Sequence, residues 1–568
     1  MRILSFTSVA LLIPLCLAQE QNPLGYSGPS PPTSDDNHTH NPLTESFNRR
    51  VEWALKHFHI PGLAISVVHN GTTFAKGYGL SSLTPSTPVT PNTLFFAGST
   101  TKAHTAAAIS LLVDDNTNYP NIQWSTPLHS LLPDFALSDP LYTAQVTLED
   151  MLSHRSGLPR HDTVFMQNIT AREIVHRMRY LPLTAPVRSE WQYCNLMYVA
   201  AGQVIEHATG VTLETFLREN LWRKLGMHDT GFEVLEALRR GEDVAEGYWY
   251  EPTSTSNPNS TSESESEFEF ESEEGIFHPT NKTFNPALHG AGNILTSASS
   301  YAKWIAALLT RSPPISSSGY ASLFGAHSIM TPVASPPFSA PDLYGFGWMV
   351  QSYKGQTVVQ HGGAQDGFGA FVVLLPEKEV GFAILGNNML GTSAACPILV
   401  FELVDALLGV PAEERFDWEG LVDEKMRQLE LTNSTLEKLY PDLPSVPDLL
   451  PLPLNISSYV GMYTHPAYPS FNISEDCPER GVLYNPEKWT GTRLCASFHD
   501  TVTMSSDLAL DFFHVTGAYW TVVIMMEKTN DAMRAEFGIT SGGVVSRLGV
   551  EFDMAMRARG EKLWFERA

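Results

Sequence analysis

The spacing of apolar and polar positions changes period along the chain, and each period predicts a different element. FNRRVEWALKHFH, from Phe47, has the spacing of an amphipathic helix. GLAISVVHNGTTFAKGYGL then follows as two strands around Asn70-Gly71, a dipeptide typical of hairpin turns. Residues 99–113 return to helical spacing and predict a second helix. A globular region therefore begins at about residue 45.

The regular pattern is interrupted by two segments of biased composition. Residues 252–275, PTSTSNPNSTSESESEFEFESEEG, are acidic and of low complexity, and predict an exposed loop insertion because they carry too little apolar surface to fold alone. Regular patterning resumes to about residue 410, and a helix is predicted over residues 411–439. The proline-rich PDLPSVPDLLPLPLN forms a linker, after which AYWTVVIMM, RAEFGIT, VVSRLGVEF and KLWFERA predict an antiparallel β domain.

The N-terminus, MRILSFTSVALLIPLCLAQEQ, has one basic residue, a short apolar run and a small-x-small cleavage site ending at Ala18. This pattern is typical of a secretory signal peptide, since the run is too short to span a bilayer comfortably, and no other segment of the sequence approaches a membrane span. The chain is thus divided into 1–18 as signal peptide, 19–44 as a disordered leader, 45–410 as the main domain with its 252–275 insertion, 411–454 as helix and linker, and 455–568 as the C-terminal β domain.

Eight Asn-x-Ser/Thr sequons follow the predicted signal peptide, a number that fits a secreted, extracellular glycoprotein. They lie at Asn37, Asn70, Asn168, Asn259, Asn281, Asn433, Asn455 and Asn472.

Composition narrows the classes of partner. The 568 residues are 43% apolar and 17% charged, which suits a globular protein of two or more domains. A formal net charge of −25 argues against nucleic acid, because phosphate binding needs clustered lysines and arginines.

Five cysteines are too few to form a disulfide scaffold in so long a chain. Cys16 leaves with the signal peptide, and Cys477 and Cys495 are the candidate disulfide because they lie close together in a turn-rich region. Whether Cys194 and Cys396 pair is left open.

The chain contains two Ser-x-x-Lys motifs, and each precedes or opens a predicted helix. In the first, Ser99 and Lys102 share one helix face, so the lysine can serve as the base that a serine nucleophile needs. In the second, Ser300 and Lys303 lie where helix N-capping explains the serines fully. Capping alone would explain both motifs, so Ser99 needs independent support.

That support comes from two further short motifs in a fixed order. YCN, residues 193–195, stands just before a predicted helix, and HGG, residues 361–363, ends a predicted strand ahead of a hairpin. Similar patterns at YPN, residues 119–121, and HNG, residues 69–71, lie in turns and lack this context.

With these motifs in this order, the chain resembles the serine β-lactamase and penicillin-binding-protein superfamily. It is most similar to the branch with class C β-lactamases, D-alanyl-D-alanine carboxypeptidases, family VIII esterases and fungal acyltransferases of the lovastatin type. Four further segments match over roughly residues 45–410: MLSHRSGLPRH, LGMHDTGF, GAGNILTSASSYAKW and YGFGW. The resemblance implies an α+β fold with an antiparallel sheet flanked by helices, a helical domain, and a small C-terminal β-barrel that opens with ISSYVGMYTHPAYPSFNIS.

The resemblance also implies a role for each site residue. Ser99 would be acylated, and Lys102 would hold the phenolate of Tyr193 within reach, with the base that takes the serine proton left open between the two. Substrate-binding residues would be Asn195, His361 and Gly363, and the oxyanion hole would be the N–H groups of Ser99 and Ala364. No cofactor and no metal are expected.

Other candidate groups have simpler interpretations. His154 and His161 match no common metal spacing and are expected to make loop hydrogen bonds. Cys194 is expected to be a small buried residue and not a second nucleophile. The sequence has no Gly-x-Ser-x-Gly and no His-Glu-x-x-His motif.

One departure from the family pattern bears on the substrate. True β-lactamases and transpeptidases usually carry lysine or arginine where this chain has His361, and that cation binds the substrate carboxylate. The change favours esters, amides or D-amino peptides, delivered as a small-molecule or peptide substrate, over β-lactams. A secreted serine hydrolase is therefore the first hypothesis, with an acyltransferase of secondary metabolism and a catalytically idle binding protein as alternatives. The C-terminal β domain could shape the active-site entrance, which we favour, or mediate oligomers, or act as a stabilising cap. Its role, the natural substrate and the oligomeric state are left open.

Overall fold

A nine-stranded antiparallel sheet forms the centre of the larger part of the protein. The computed structural model describes residues 41–252, 275–280, 285–432, 439–441, 443, 449–478, 492–498, 509–526 and 529–568. The strand order is β3-β2-β1-β13-β12-β11-β10-β9-β8. The strands of this part are β1 Gly62–His69, β2 Thr72–Leu83, β3 Ser86–Pro88, β4 Leu94–Phe96, β5 Tyr248–Pro252, β6 Gly275–Pro279, β7 Leu295–Ser297, β8 Ser328–Thr331, β9 Asp342–Tyr344, β10 Met349–Tyr353, β11 Gln356–Gln365, β12 Phe368–Leu375 and β13 Val380–Gly386.

Helices pack on both faces of the sheet, and the last helix, α14, lies between two strands of the C-terminal β domain. Their bounds are α1 Glu45–His57, α2 Thr101–Asp114, α3 Leu128–Leu131, α4 Pro140–Gln145, α5 Leu148–Leu152, α6 Ala171–Arg177, α7 Asn195–Thr209, α8 Leu213–Leu217, α9 Val234–Arg239, α10 Ala298–Thr310, α11 Ser317–Phe324, α12 Met389–Leu408, α13 Trp418–Thr432 and α14 Met554–Arg559.

Burial on both faces explains the unbroken apolar runs of the central strands. All residues of β12, FGAFVVLL, and of β13, VGFAILG, are buried. Along β12 the side chains alternate between two cores, with Val372 in the core that contains α2 and α10 and Phe371 in the core that contains α1, α12 and α13. The sheet therefore separates two apolar layers, and the position of a residue on β11 or β12 decides which layer it faces.

Helix α2 runs through the first of these layers and is buried on almost every side. Twelve of its fourteen residues are buried, including Lys102 and His104. Small residues, Ala106 to Ala108, allow its neighbours to approach closely, and a helix that is apolar all round belongs in a core. The sequence predicted the helix, and its burial places an ionisable lysine in an apolar environment.

Several local predictions can be compared with the structure. The hairpin forms as predicted, with His69 paired to Thr72 and with Asn70 and Gly71 at positive φ. The predicted helix over residues 411–439 was wrong at its start, because α13 begins at Trp418, where the Asp417 side chain accepts a hydrogen bond from the Gly420 N–H. A 3₁₀ turn, Ala412–Glu414, precedes it.

The predicted leader and insertion fall largely outside the described residues, namely 1–40 and 253–274. The last leader residues nevertheless belong to the fold, since Leu43 is buried and Thr44 caps α1. Strands β5 and β6 pair with each other at the two ends of the acidic insertion.

One helix among the described residues, Met389–Leu408, is long and apolar enough to cross a membrane by length and composition. In the fold, 67% of its most apolar window is buried, and it packs on β12 as a core helix. This helix corrects the expectation that no segment after the N-terminus approaches the criteria for a span.

The C-terminal β domain is a closed antiparallel barrel, as the resemblance implied. Its strands are β14 Gly461–Thr464, β15 Phe471–Ser474, β16 Arg493–Phe498, β17 Ala509–Thr516, β18 Tyr519–Met526, β19 Thr529–Ile539, β20 Val545–Val550 and β21 Leu563–Arg567. Closure between β14 and β21 leaves no free sheet edge on the barrel.

The barrel packs against the loops beside the main sheet. The Tyr468 hydroxyl lies 2.9 Å from His161 Nδ1, and Gln167 Nε2 donates to the carbonyl of Ala467 over 2.9 Å. Arg559 forms an ion pair with Glu190. Tyr468 and Ala467 are buried, so the contact excludes water on the barrel side.

The predicted disulfide is present between Cys477 and Cys495. Cys194 and Cys396 are free and buried. Of the predicted sequons, those in the described residues are all exposed: Asn70, Asn168, Asn455 and Asn472. The other sequons, Asn37, Asn259, Asn281 and Asn433, lie outside the described residues.

The disulfide closes a loop of sequence separation 18, and removing it should destabilise the barrel. For a loop of this length the expected loss in the free energy of unfolding is about 3 kcal/mol, because the unfolded chain regains conformational freedom. Denaturant unfolding of a variant with Cys477→Ser and Cys495→Ser tests this. A reducing agent should lower the stability of the parent protein and leave that of the double variant unchanged; equal stability of both proteins under oxidising conditions would contradict the prediction.

Candidate active site

Ser99 lies in a 3₁₀ turn, Gly98–Thr100, immediately before α2. Neither this turn nor α2 uses a side-chain N-cap, so the Ser99 hydroxyl is not a helix cap. Gly98 has a φ of 49°, in the left-handed region, and a Cβ built on it would stand 2.7 Å from the backbone nitrogen of Ala364. A glycine before the serine thus lets the turn approach β11.

The amine of Lys102 contacts three oxygen atoms. Lys102 Nζ lies 3.1 Å from Ser99 Oγ, 2.7 Å from Asn195 Oδ1 and 2.7 Å from the carbonyl oxygen of Ala291. The side chain is fully buried. Burial, followed by the positive charge of Arg160, holds the pKa of Lys102 well below its usual value, although Asp162 opposes the shift.

Tyr193 stands on the other side of the serine. Its hydroxyl donates to Ser99 Oγ over 2.7 Å, and Lys102 Nζ lies 4.8 Å from the centre of its ring. Burial raises the pKa of the Tyr193 phenol above its usual value, which outweighs the opposing charge of Arg160. The structure therefore favours a protonated phenol over the phenolate that the resemblance implied.

A polar chain that sequence reasoning missed orients Asn195. The side-chain amide of Asn195 donates through Nδ2 to Asp162 over 3.0 Å, which leaves Oδ1 for Lys102. Asp162 is in turn held by Arg160 at 2.7 Å, and the Arg160 guanidinium lies 5.0 Å from the centre of the Tyr193 ring. Arg160 and Asp162 follow the LSHRSGLP segment, and only the folded loop brings them to the lysine.

Strand β11 presents a free edge to Ser99. It pairs with β10 only up to Gln360, and its hairpin with β12 pairs Gln365 to Phe368. In this antiparallel register the N–H groups of Gly362 and Ala364 point away from β12, towards the open edge. A Cβ at Gly363 would stand 2.1 Å from the carbonyl oxygen of Ala97, so glycine is required for the close approach.

His361 is neutral in this environment. Burial, followed by the nearby charge of Lys102, lowers its pKa to about 3. Nδ1 lies 2.6 Å from the carbonyl of Gly362, which can only accept, so Nδ1 carries the proton. Nε2 then accepts from the Tyr344 hydroxyl at 3.0 Å. The sequence allowed a partly protonated imidazole at position 361. In the folded protein the imidazole of His361 is neutral near pH 7.

Ser99 lines a cavity of about 480 Å³ whose walls are mainly apolar. Arg160, Trp191, Tyr193 and Tyr344 line the part near the serine. The barrel also contributes, since Asp553 and Ala555 line the same cavity. A role of the C-terminal domain at the active-site entrance was favoured from the sequence, but its contributing residues could not be predicted, because they lie more than 400 positions beyond Ser99.

The second Ser-x-x-Lys motif is structural. Ser297 caps α10 by accepting from the Ser300 N–H, and the Ser300 hydroxyl donates to Asp229. Lys303 is exposed and donates to the carbonyl of Gly226 over 2.5 Å. The two members of this motif thus have separate partners, unlike Ser99 and Lys102.

The remaining candidate groups make local hydrogen bonds. His154 Nδ1 accepts from the Cys194 N–H at 3.1 Å. His161 lies 3.2 Å from the carbonyl of Pro182 through Nε2, so its Nδ1 accepts from Tyr468. Burial raises the pKa of the Cys194 thiol to about 12, which leaves it unreactive. Within the described ranges, no group of three or more His, Cys, Asp or Glu side chains is placed to hold a metal ion.

The arrangement suits acyl transfer. A serine hydroxyl flanked by a depressed-pKa amine and a phenol has both a proton acceptor and a proton donor within hydrogen-bond distance. The backbone segments that carry Ser99 and Ala364 adjoin each other, as the oxyanion hole predicted from their N–H groups requires.

Comparison with known proteins agrees with this chemistry. The family model described as beta-lactamase matches residues 47–404. The chain is 36% identical over 536 residues to an unguisins hydrolase of Aspergillus campestris, covering 93% of this chain and 92% of the relative. It is 32% identical over 548 residues to an unguisins hydrolase of Aspergillus violaceofuscus, covering 93% and 91%.

Solved structures share the fold at low sequence identity. An octameric penicillin-binding-protein homologue from Pyrococcus abyssi superposes with a TM-score of 0.54 at 18% identity, over 92% of this chain and 99% of that chain. A class C β-lactamase superposes with a TM-score of 0.50 at 16% identity, over 64% of this chain and 96% of that chain. The chain therefore belongs to the β-lactamase family and is a serine hydrolase of that superfamily.

Proposed function

We propose that the protein hydrolyses an ester or an amide bond, the latter including that of a D-amino peptide, through an acyl-enzyme on Ser99. The observation that carries the proposal is the buried Lys102 amine, 3.1 Å from Ser99 Oγ and held at a depressed pKa. A serine hydroxyl is a weak nucleophile unless a neighbouring base takes its proton.

The partners of Lys102 support its role as that base. Asn195 Oδ1 and the Ala291 carbonyl are both acceptors, so a neutral amine donates its two hydrogens to them. Its lone pair is then left for the hydroxyl hydrogen of Ser99. Of the two bases that the sequence left open, Lys102 and Tyr193, these contacts support the lysine.

Tyr193 then acts as the acid. Its protonated hydroxyl already donates to Ser99 Oγ, so it stands beside the acyl carbon that Oγ attacks and can give its proton to the group that leaves that carbon. In the second half-reaction the Tyr193 phenolate would take a proton from the attacking water, and the protonated Lys102 would return a proton to Ser99 Oγ. Each oxyanion-hole donor, from Ser99 and Ala364, is expected to stabilise the transition state by about 3 kcal/mol.

The substrate is proposed from His361 and from the relatives. A neutral His361 offers no ionic partner for the carboxylate of a β-lactam, and the cavity is mainly apolar. Two relatives similar over most of their length are named unguisins hydrolases, which supports water as the acceptor and makes unguisins the first compounds to test. An acyltransferase would use the same acyl-enzyme and remains the alternative.

We also propose secretion and glycosylation. The N-terminal pattern and eight sequons support an extracellular glycoprotein, and each sequon asparagine in the described part of the chain is exposed to solvent. Enzymatic deglycosylation of protein from a fungal culture medium should lower its apparent mass.

The nucleophile is tested by covalent labelling and turnover. A fluorophosphonate probe should label the mature protein at Ser99, and Ser99→Ala should abolish labelling and lower hydrolysis of unguisins or of a model ester by about 10⁴-fold or more. Ser393→Ala is the matched control, since Ser393 lines the same cavity and donates to the Met389 carbonyl. Peptide mapping by mass spectrometry locates the label, and unchanged labelling of the Ser99 variant would refute the assignment.

The role of His361 is tested by a substrate panel of p-nitrophenyl esters, D-amino acid anilides and a chromogenic cephalosporin. We expect kcat/KM to be higher for the best ester or anilide than for the cephalosporin, because position 361 carries a neutral side chain and no cation for the cephalosporin carboxylate. His361→Lys should reduce the difference in kcat/KM between these substrates and the cephalosporin. The neutral variant His361→Gln should leave the cephalosporin the poorer substrate. Faster turnover of the cephalosporin by the parent protein would overturn this interpretation.

A further inference from the structure

The cavity at Ser99 continues around the free edge of β11 to the opposite face of the sheet. Gly363 and Ala370 line it on the Ser99 face, whereas Phe371, which pairs with Gly362, lines it on the other face. Ala370 belongs to the core with α2 and Phe371 to the core with α12 and α13. The cavity therefore has a second compartment, here called the distal branch.

Aromatic and branched side chains form the walls of the distal branch. The rings of Phe401 and Trp418 stack with centroids 4.2 Å apart, and Phe338 lies 6.0 Å from Phe401. Leu421 and Val422 continue the apolar wall along α13. Covering such a surface with an apolar group of the substrate lowers the free energy, because apolar area is removed from water.

Three of these wall residues lie outside the segment that defines the family. The family model ends at residue 404, and Trp418, Leu421 and Val422 follow it on α13. The helix is fixed to the rest of the protein because its Glu419 pairs with Arg50 of α1. One wall of the distal branch is thus formed by residues beyond the matched family segment.

One buried acceptor in the wall has no partner. Gln351 donates to Asp342, and Gln360 donates to the remaining oxygen of Gln351. This order leaves Gln360 Oε1 buried, and among the described residues it has no hydrogen-bond donor. Gln360 lines the cavity and is 1% exposed. A buried unpaired acceptor calls for a donor, and a bound substrate can supply one.

The free edge of β11 explains how a substrate would reach both compartments. An extended peptide that pairs with the N–H groups of Gly362 and Ala364 would lie along this edge. Successive side chains of an extended chain point to opposite faces. If the side chain of one substrate residue lies on the Ser99 face, the side chain of the next residue therefore points into the distal branch.

We propose that the distal branch binds a bulky aromatic side chain of a peptide substrate, one residue from the bond that Ser99 attacks, with Gln360 Oε1 accepting an N–H from that residue. The proposal rests on the proposed function because it assumes that the substrate is a peptide. It assigns Trp418, Phe338 and Gln360 as specificity-determining residues.

The test measures binding apart from chemistry. Two N-acetylated peptide amides of equal length, with naphthylalanine or alanine at the position beside the scissile residue, are made in L and D configuration at that position. Their affinities for the full-length Ser99→Ala protein are measured by calorimetry. For the better-bound configuration, we expect the naphthylalanine peptide to bind at least about tenfold more tightly, a ratio that burying one large apolar side chain supplies.

Variants in the Ser99→Ala background show where the preference arises. Two variants should each reduce the ratio of the affinities for the naphthylalanine and alanine peptides to about two or less. Trp418→Ala removes part of the wall, and Leu421→Trp fills the branch. Trp564→Ala is the matched control, because Trp564 packs against Arg547 on the barrel and does not line the cavity. Gln360→Met should weaken binding of the naphthylalanine peptide several-fold and leave that of the alanine peptide unchanged.

The outcomes separate the two proposals. Equal affinity of the two peptides, or a preference that survives both Trp418→Ala and Leu421→Trp, would overturn the distal-branch assignment. An equal loss for both peptides in Gln360→Met would assign that residue a purely structural role. If the expected preference is found but the protein with Ser99 intact cleaves neither peptide nor unguisins, the hydrolytic proposal fails while the binding site stands.

Discussion

The chemistry of this protein depends on placing the amine of Lys102 in an apolar core. Helix α2 is buried on nearly all sides, so the lysine has no route to solvent and must satisfy its hydrogens internally. Asn195 and the Ala291 carbonyl do so, and both are acceptors. Since burial favours the neutral amine, the same feature that would destabilise a charged lysine suits Lys102 to its proposed role as the base for Ser99.

The surrounding structure fixes the geometry of this amine and of the serine. Asp162 holds the Asn195 amide in one orientation, and Arg160 holds Asp162. Gly98 and Gly363 let the serine turn and β11 approach each other closely, as the oxyanion hole proposed for Ser99 and Ala364 requires. The barrel completes the cavity with Asp553 and Ala555, so residues of both domains line it.

Much of this arrangement could be predicted from the sequence, because local motifs carry it. Ser99 with Lys102, the YCN motif and the HGG motif each lie within four residues, and their order identified the fold. Arg160, Asp162 and Asp553 could not be found in this way, since their proximity arises only from loop and domain packing. The phenolate expected for Tyr193 and the partial charge allowed for His361 also depended on burial, which spacing does not reveal.

The most direct measurement is the titration of the Lys102 amine itself. In protein carrying ¹³Cε-labelled lysine, the resonance that disappears in Lys102→Met can be assigned to Lys102 and followed with pH by NMR. The account predicts a midpoint well below the usual lysine value, and a rise of that midpoint in Arg160→Gln, because the variant removes a positive charge and leaves Asp162 unpaired. A lysine that stays protonated up to about pH 10 in the parent protein would contradict the central claim.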